Sequence, residues 1–441
     1  MAPQRPLLQA ARVAESAAGA DAGRVPWLLS VQRDTLDLWQ LGTAARGGGA
    51  RGTAVEGGLI NAAVQPLHMA RLANKGGRHV LAAALAPDGR YLAYSDTAGV
   101  KCLRLSEQLG TDAIPVPHLG LAPVHLPAAA AAPARLLAFR PGSAQLLAAG
   151  MDGTVRLVDL AAAESESAGA PRSKDGDGGG DGSMVLLRAL HDLRYKPHAR
   201  RDRGRSAARW ALPPLELMAP SPDGRWLAAV VRGRVQLLNL ATGRLVQLPP
   251  VVPEGQLPVT ALRFLPSGSR LVAATSAQQG SGVAHQLALY DVEAGVHSEW
   301  SLALQQGAGS GGGAAGAQPG LPPRLRCMPG LLVHVSPRPG MPHAALLQSA
   351  AALCQLDVAC PLSQEPRGGG GGAGGGRKQR RAHKPVPLNG APGENGRLLY
   401  GDKVLLFAEY IGPSALLLVE RTWEEAWADV PAPLQRHRFG S

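Results

Sequence analysis

Two runs of this 441-residue chain carry the residue types of a ligand site. "GGGGGAGGGRK" (368–378) offers the glycines and lysine of a phosphate-binding loop, where backbone NH groups cradle phosphate oxygens. The required lysine–hydroxyl pair is missing, because Arg377 follows the glycines and Lys378 is followed by Gln379. "DGDGGGDG" (175–182) spaces carboxylates as a calcium loop does. The position of the closing bidentate acid is Leu186, so that loop fails too. No H-E-x-x-H, no G-x-S-x-G and no zinc spacing occurs. His118 and His125 fall near each other in a Pro-rich connection and read as a loop pair rather than as ligands. The chain is therefore expected to be no enzyme, with no catalytic residue, no cofactor and no metal.

The chemistry that does stand out is charge. Formal net charge is +12. "RYKPHARRDRGRSAAR" (194–209) holds seven basic residues against Asp202, and "RKQRRAHK" (377–384) holds five against none. These two segments carry nearly all of the excess. Compact basic clusters bind phosphate backbones or serve as nuclear-import signals. Arg200, Arg201, Arg203 and Arg205 in the first cluster, and Arg377, Lys378, Arg380, Arg381 and Lys384 in the second, are the candidates for import or RNA contact. Glycines tether the second cluster flexibly. Tyr195 and Trp210 flank the first, placed either to stack on bases or simply to cover a blade.

A third feature lies at the end. "TWEEAWADV" (422–430) puts Trp423 and Trp427 on one face of a short helix. Pro431 ends it. An exposed tryptophan pair must be covered, so the tail is expected either to fold back and cap the propeller's own rim or to dock on a neighbouring subunit. Trp423, Trp427, Pro433, Leu434, Arg436, Arg438 and Phe439 are the candidate docking residues.

The elements that position these segments are legible in a repeated phrase. "APDGRYLAYSD" (86–96) returns as "SPDGRWLAAVV" (221–231). Pro-Asp-Gly is a turn: Pro presets φ, Asp bonds back to its own backbone and Gly takes positive φ. A strand-period run follows it, and a short apolar run, "HVLAAALA" (79–86), precedes it. The unit is a hairpin with a third strand behind it. Weaker copies lie at 27–42, 134–160, 258–276, 330–358 and 403–422. That makes seven hairpins, and turn prolines 222 and 266 are spaced close to the ~40–45-residue period of a WD40 blade. No Trp-Asp dipeptide closes any repeat; Val158-Asp159, Tyr290-Asp291 and Leu356-Asp357 stand in its place.

The fold expected is all-β: a WD40-type seven-bladed β-propeller with long disordered inter-blade inserts and a short helical C-terminal tail. Residues 1–26 are expected to be a disordered N-terminal segment, 27–422 the propeller and 423–441 the tail. Inserts are placed at about 43–65, 161–183, 305–320 and 363–395. Inner strands are expected at 79–86, 134–139, 214–219, 258–265, 330–335 and 403–409. The first unit shows no obvious inner strand and the last no outer ones, so the termini are expected to share one composite blade. Cys102 and Cys354 fall in strands as buried thiols, and Cys327 and Cys360 complete the set without a C-x-x-C pair. This usage fits a reducing compartment. The first 26 residues do not read as a secretory signal, and no apolar run reaches membrane-spanning length.

Several stretches resemble the cirhin family, tandem-propeller proteins of the small-subunit processome. "TLDLWQLG" (35–42), Lys75-Gly76 with Leu92-Ala93-Tyr94-Ser95, and "LCQLDV" (353–358) match its strands. Val419-Glu420-Arg421, Val430-Pro431-Ala432-Pro433-Leu434 and Phe439-Gly440 are similar to its C-terminal signature. The resemblance covers residues 27–441 with the inserts excluded, and points to the family's C-terminal propeller region. It implies a non-enzymatic scaffold in the nucleus and nucleolus, in the t-UTP subcomplex that loads on nascent pre-rRNA. It also implies work with the U3 small nucleolar ribonucleoprotein in rRNA processing and small-subunit biogenesis, linked to rDNA transcription. The partners implied are other processome subunits, with pre-rRNA contact through the basic inserts, and no membrane or small-molecule substrate. The alternative is a generic WD40 adaptor, such as a ubiquitin-ligase substrate receptor or a trafficking module. That reading gives the C-terminal signature no task.

Overall fold

The computed structural model describes residues 7–13, 25–41, 66–109, 117–128, 130–150, 153–163, 184–187, 215–251, 258–279, 282–306, 321–359, 396–400, 403–411 and 416–421. Its strands form seven antiparallel sheets, each ordered as in the chain. Blade 1 holds β1 (Leu7–Val13), β2 (Val25–Val31), β3 (Thr35–Gln40) and β4 (Leu67–Ala73). Blade 2 holds β5 (Ala82–Leu85), β6 (Tyr91–Ser95), β7 (Val100–Leu109) and β8 (Pro117–Val124). Blade 3 holds β9 (Ala134–Phe139), β10 (Gln145–Gly150), β11 (Val155–Asp159) and β12 (Met184–Leu187). Blade 4 holds β13 (Leu217–Pro220), β14 (Trp226–Val231), β15 (Arg234–Asn239) and β16 (Leu245–Gln247). Blade 5 holds β17 (Val259–Phe264), β18 (Arg270–Gln279), β19 (Gly282–Asp291) and β20 (Val296–His297). Blade 6 holds β21 (His334–Pro337), β22 (Ala344–Gln348), β23 (Ala352–Asp357) and β24 (Gly396–Tyr400). Blade 7 has β25 (Val404–Tyr410) and β26 (Leu416–Arg421).

The inner strands β1, β5, β9, β13, β17, β21 and β25 each touch the next, and β25 touches β1. The result is a closed, seven-bladed propeller, as the repeated hairpins predict. Two short helices, Glu299–Gln306 and Pro323–Arg326, sit between blades 5 and 6. No helix among the described residues is long and apolar enough to cross a membrane.

The repeated phrase builds the same turn twice. Asp88 Oδ1 accepts the Arg90 NH at 3.0 Å, and Asp223 Oδ1 accepts the Arg225 NH at 3.0 Å. Gly89 and Gly224 take φ of 72° and 68°, the left-handed region that favours glycine. The Asp residues read as stand-ins for Trp-Asp close the turn at the outer end of the third strand. Asp159 Oδ1 accepts the NH groups of Ala161 and Ala162, Asp291 Oδ1 that of Ala294 and Asp357 Oδ1 that of Ala359. Asn239 does the same in blade 4 through Ala241 and Thr242, at a position the sequence reading passed over.

In blades 2 to 6 both faces of the second strand are buried, because each of these blades is stacked between two others. On β6, Tyr91 and Ala93 pack with Phe139, Leu146 and Ala148 of blade 3. Its intervening Leu92 packs with Trp27, Leu29 and Leu38 of blade 1. The pattern continues around the ring: Leu147 and Ala149 meet Leu227 and Ala229; Ala228 and Val230 meet Phe264 and Leu271; Val272 and Ala274 meet Ala345 and Leu347. Leu346 then meets Leu405 and Ala408. Leu92, Leu146, Leu227, Leu271 and Leu346 are each 0% exposed, worth about 1.5–3 kcal/mol apiece in burial.

The ring closes differently from the composite blade expected. Residues 7–13, within the segment expected to be disordered, form β1 and pair with β2 from Leu7↔Val31 to Val13↔Val25. Blade 1 thus owns its inner strand, and β2 begins at Val25 rather than 27. Among the described residues, blade 7 pairs β25 with β26 only. The seam is held by side chains: Leu28, Leu41 and Trp39 of blade 1 pack on Phe407, Leu417 and Val419 of blade 7. Among the described residues, the seam is closed by apolar packing.

Two further expectations shift. The Pro-rich connection around residue 118 forms an outer strand, β8, paired with β7. The inner strand expected at 330–335 starts at His334. The segment before it is held by blade 5 instead, since Ser276 Oγ accepts the Leu332 NH at 3.1 Å and His285 Nε2 donates to the Met328 carbonyl at 2.8 Å. These two backbone groups are satisfied without strand pairing.

Candidate interaction surface

Strand parity sorts every loop onto one of two faces. An antiparallel blade of four strands ends on the face where it began. All links between blades, and all turns between second and third strands, therefore share one face, called here the link face. First-to-second and third-to-fourth strand turns share the other. Cross-blade contacts agree. Lys101 Nζ, at the start of β7, donates to Asn74 Oδ1 in the link from blade 1 at 3.0 Å. Arg33 Nε, in the β2–β3 turn, donates to His79 Nε2 in the same link at 2.9 Å. On the opposite face Arg225 pairs with Glu293 of the next blade at 3.3 Å.

The two faces differ in charge. The link face carries Arg33, Lys75, Arg78, Lys101, Arg135, Arg232, Arg234 and Lys403. Against them the described residues there offer Asp34, Asp96, Glu216, Glu299 in the link from blade 5 and Glu420 at the end of β26. Asp96 is fully buried and committed. It accepts from the Ala98 and Gly99 NH groups and from Lys101 Nζ at 2.7, 3.0 and 2.8 Å. Burial opposes its charge, but hydrogen bonds from Lys101, Asn74, Ala98 and Gly99 outweigh that and hold the carboxyl at about 2. The opposite face is balanced: Asp88, Asp159, Asp223, Asp291, Glu293 and Asp357 alternate with Arg90, Arg140, Arg225, Arg244, Arg270 and Arg338. Most of these acids serve the turn hydrogen bonds described above.

Inside the ring, Arg263 of β17 reaches Glu409 of β25 at 3.3 Å. His334 of β21 stands beside the pair, tilted against Phe407 at 5.3 Å. Burial, with a smaller contribution from Arg263, lowers the imidazole to about 3, so it is neutral. On the rim, Asp37 is 3% exposed and accepts from Arg71 Nε at 2.7 Å and His68 Nε2 at 2.9 Å. Burial raises its pKa, and the Arg71 and His68 contacts more than reverse that. These groups are engaged with each other. No cluster of three or more potential metal ligands occurs among the described residues. Cys102 and Cys354 are buried thiols outside any disulfide, and Cys327 is exposed.

The residues singled out from sequence lie outside the described ones. That holds for Arg200, Arg201, Arg203 and Arg205, for Arg377, Lys378, Arg380, Arg381 and Lys384, and for Trp423, Trp427, Pro433, Leu434, Arg436, Arg438 and Phe439. The four expected inserts lie almost wholly outside them as well. What sequence reasoning missed is the link face. Its cations are spread singly over the chain, and only strand parity brings them to one side.

Fold and surface together define a WD40-type β-propeller, a platform for binding other molecules. Two curated relatives resemble it along most of its length. The U3 small nucleolar RNA-associated protein 4 homolog of Mus musculus is 24% identical over 418 residues, 92% of this chain and 48% of that protein. The homolog of the same name in Homo sapiens is 23% identical over 413 residues, 92% of this chain and 48% of its own length. The chain therefore spans about half the length of these relatives. No family model matches it. Among solved structures, the crystal structure of Sqt1 from Chaetomium thermophilum aligns with a TM-score of 0.46 at 14% identity, covering 89% of this chain and 78% of that one.

Proposed function

We propose that this chain is a non-enzymatic scaffold of the cirhin type in the small-subunit processome. In this reading it acts in nucleolar pre-rRNA processing and small ribosomal subunit biogenesis, within the t-UTP subcomplex and alongside the U3 ribonucleoprotein. The observation that carries the reading is similarity across 92% of the chain to two proteins named for association with U3 small nucleolar RNA. The propeller supports it, since such a ring presents two faces and a rim to several partners at once. The chain is read as the C-terminal propeller of the family. The basic inserts at 194–209 and 377–384 supply nuclear import or pre-rRNA contact. The tail at 423–441 docks on a neighbouring subunit, with Trp423 and Trp427 as its apolar anchors and Arg436, Arg438 and Phe439 completing the contact.

Sedimentation tests this. The tagged full chain in cell extract should travel with pre-ribosomal particles on a sucrose gradient. Deleting 431–441 leaves β26 and both tail tryptophans in place, so it should spare folding and shift the protein to light fractions. A full-length chain that stays in light fractions would overturn the processome role. A truncated chain that co-sediments fully would overturn the docking role of the tail.

A further inference from the structure

The link face combines three properties. Its cations are dispersed around the ring, with one or two on most blades, rather than lined up in a track. Arg78, Arg135, Arg234 and Lys403 are exposed, and no carboxylate among the described residues lies within ion-pair distance of them. Its exposed large apolar side chains are all aliphatic among the described residues: Leu81 at 39%, Leu331 at 43% and Val333 at 36%. Leu81 directly precedes β5 and Val333 directly precedes β21, so both stand where the inner strands enter the central channel.

We propose that the link face is the docking surface for an acidic segment of a partner protein, anchored by an aliphatic side chain at the channel mouth. The charge excess selects a negatively charged occupant. The aliphatic mouth decides which kind. Single-stranded nucleic acid is held by a continuous basic groove with aromatic stacking platforms, and this face offers dispersed cations and aliphatic side chains. Arginine around a small apolar centre is the composition of a protein-binding patch. In the bound state the carboxylates meet Arg78, Arg135, Arg234 and Lys403, and the anchor packs on Leu81 and Val333. The inference stands independently of the processome reading, because it uses only the ring's own surface.

Fluorescence anisotropy on the full chain tests it. The probes are a labelled peptide of repeated Glu-Glu-Leu, the same peptide with Ser for Leu, and a labelled oligouridylate of equal length. The Leu peptide should bind, in a salt-sensitive manner, about tenfold or more tighter than the Ser peptide, the loss expected for one well-buried leucine. The basic inserts offer the oligouridylate a site of their own, so its binding is compared between the chain and its variants rather than with the peptide. The combined variant Arg78→Glu, Arg135→Glu, Arg234→Glu should weaken binding of the Leu peptide by about tenfold or more, while Arg90→Glu with Arg244→Glu on the opposite face should leave it unchanged. Equal binding of the two peptides, a link-face variant that weakens the oligouridylate as much as the Leu peptide, or indifference of the Leu peptide to the link-face charges would each overturn the proposal. The probe comparison uses the unmodified chain, so it decides the matter even if a charge-reversal variant fails to fold.

Discussion

Arg263 of the fifth blade and Glu409 of the seventh form an ion pair, Nη2 to Oε1 at 3.3 Å, that passes the inner strand of the sixth. The pair is separated by 146 positions in sequence. It ties the last blade to the body of the ring near the seam, where the described residues of blades 7 and 1 meet by side-chain packing. The same corner holds Tyr410, whose NH is accepted by Ser336 Oγ at 2.8 Å, and Gln348, whose Oε1 accepts the Ala408 NH at 2.8 Å. Polar side chains of blade 6 thus hold the backbone of blade 7.

Glu409→Gln should destabilise the chain by about 1 kcal/mol or less, since Arg263 is 41% exposed and solvent screens the pair. Gln348→Ala should cost more, about 1–3 kcal/mol, because it leaves a buried NH without its acceptor. Urea unfolding of both variants checks the order. A larger loss from Glu409→Gln would contradict it.

Stability should fall in mild acid through the buried imidazoles. His285 is 2% exposed and bridges Ser276 Oγ and the Met328 carbonyl at 2.9 and 2.8 Å. A carbonyl only accepts, so Nε2 carries the proton and Nδ1 takes the Ser276 hydroxyl hydrogen. Burial lowers the pKa of His285 from 6.5, and burial lowers His334 from 6.5 to about 3. A histidine depressed in the folded state binds more protons when unfolded. Its contribution is fully present above pH 6.5 and is lost as pH falls towards the folded value, at about 1.4 kcal/mol per pH unit per group. His334→Gln should flatten the profile between pH 6.5 and 3. Urea titrations across that range measure it, and an unchanged slope would contradict the assignment.

Two glycines with positive φ should respond differently to alanine. Gly99 has φ of 151° and a Cβ there would collide with the Ala131 carbonyl, which accepts the Val100 NH at 2.8 Å. Gly142 has φ of 71° and open space within 4 Å. Gly99→Ala should therefore cost about 2–4 kcal/mol, and Gly142→Ala about 1 kcal/mol from backbone strain alone. Thermal melting of the two variants side by side gives the comparison.

The import reading of the second basic cluster is checked by imaging. Replacing Arg377, Lys378, Arg380, Arg381 and Lys384 by Ala should weaken nuclear accumulation of a fluorescently tagged chain while its melting temperature stays put. Unchanged localisation would remove that role.

Much of the ring was legible because one local device recurs. The Asp88 and Asp223 turns announce their hairpins through residue types with a mechanical reason to be there. The inner strand of blade 3 was legible too, since "ARLLAF" is apolar, short and followed by Pro141-Gly142. Leu7–Val13 was not, because "LLQAARV" has neither the alternation of a half-buried strand nor a flanking Pro-Gly turn. Only its pairing with β2 shows what it is. The shift of β21 was hidden for a different reason: Met328 and Leu332 are claimed by His285 and Ser276, side chains some fifty positions earlier. The link face is a property of strand parity, and no local window of sequence contains it.

The processome reading is tested most directly by affinity purification of the tagged full chain from cells, with identification of the proteins and RNAs that accompany it. The account predicts that U3 small nucleolar RNA and other processome subunits are recovered, together with pre-rRNA. Recovery of ubiquitin-ligase or trafficking components without U3 RNA would contradict it.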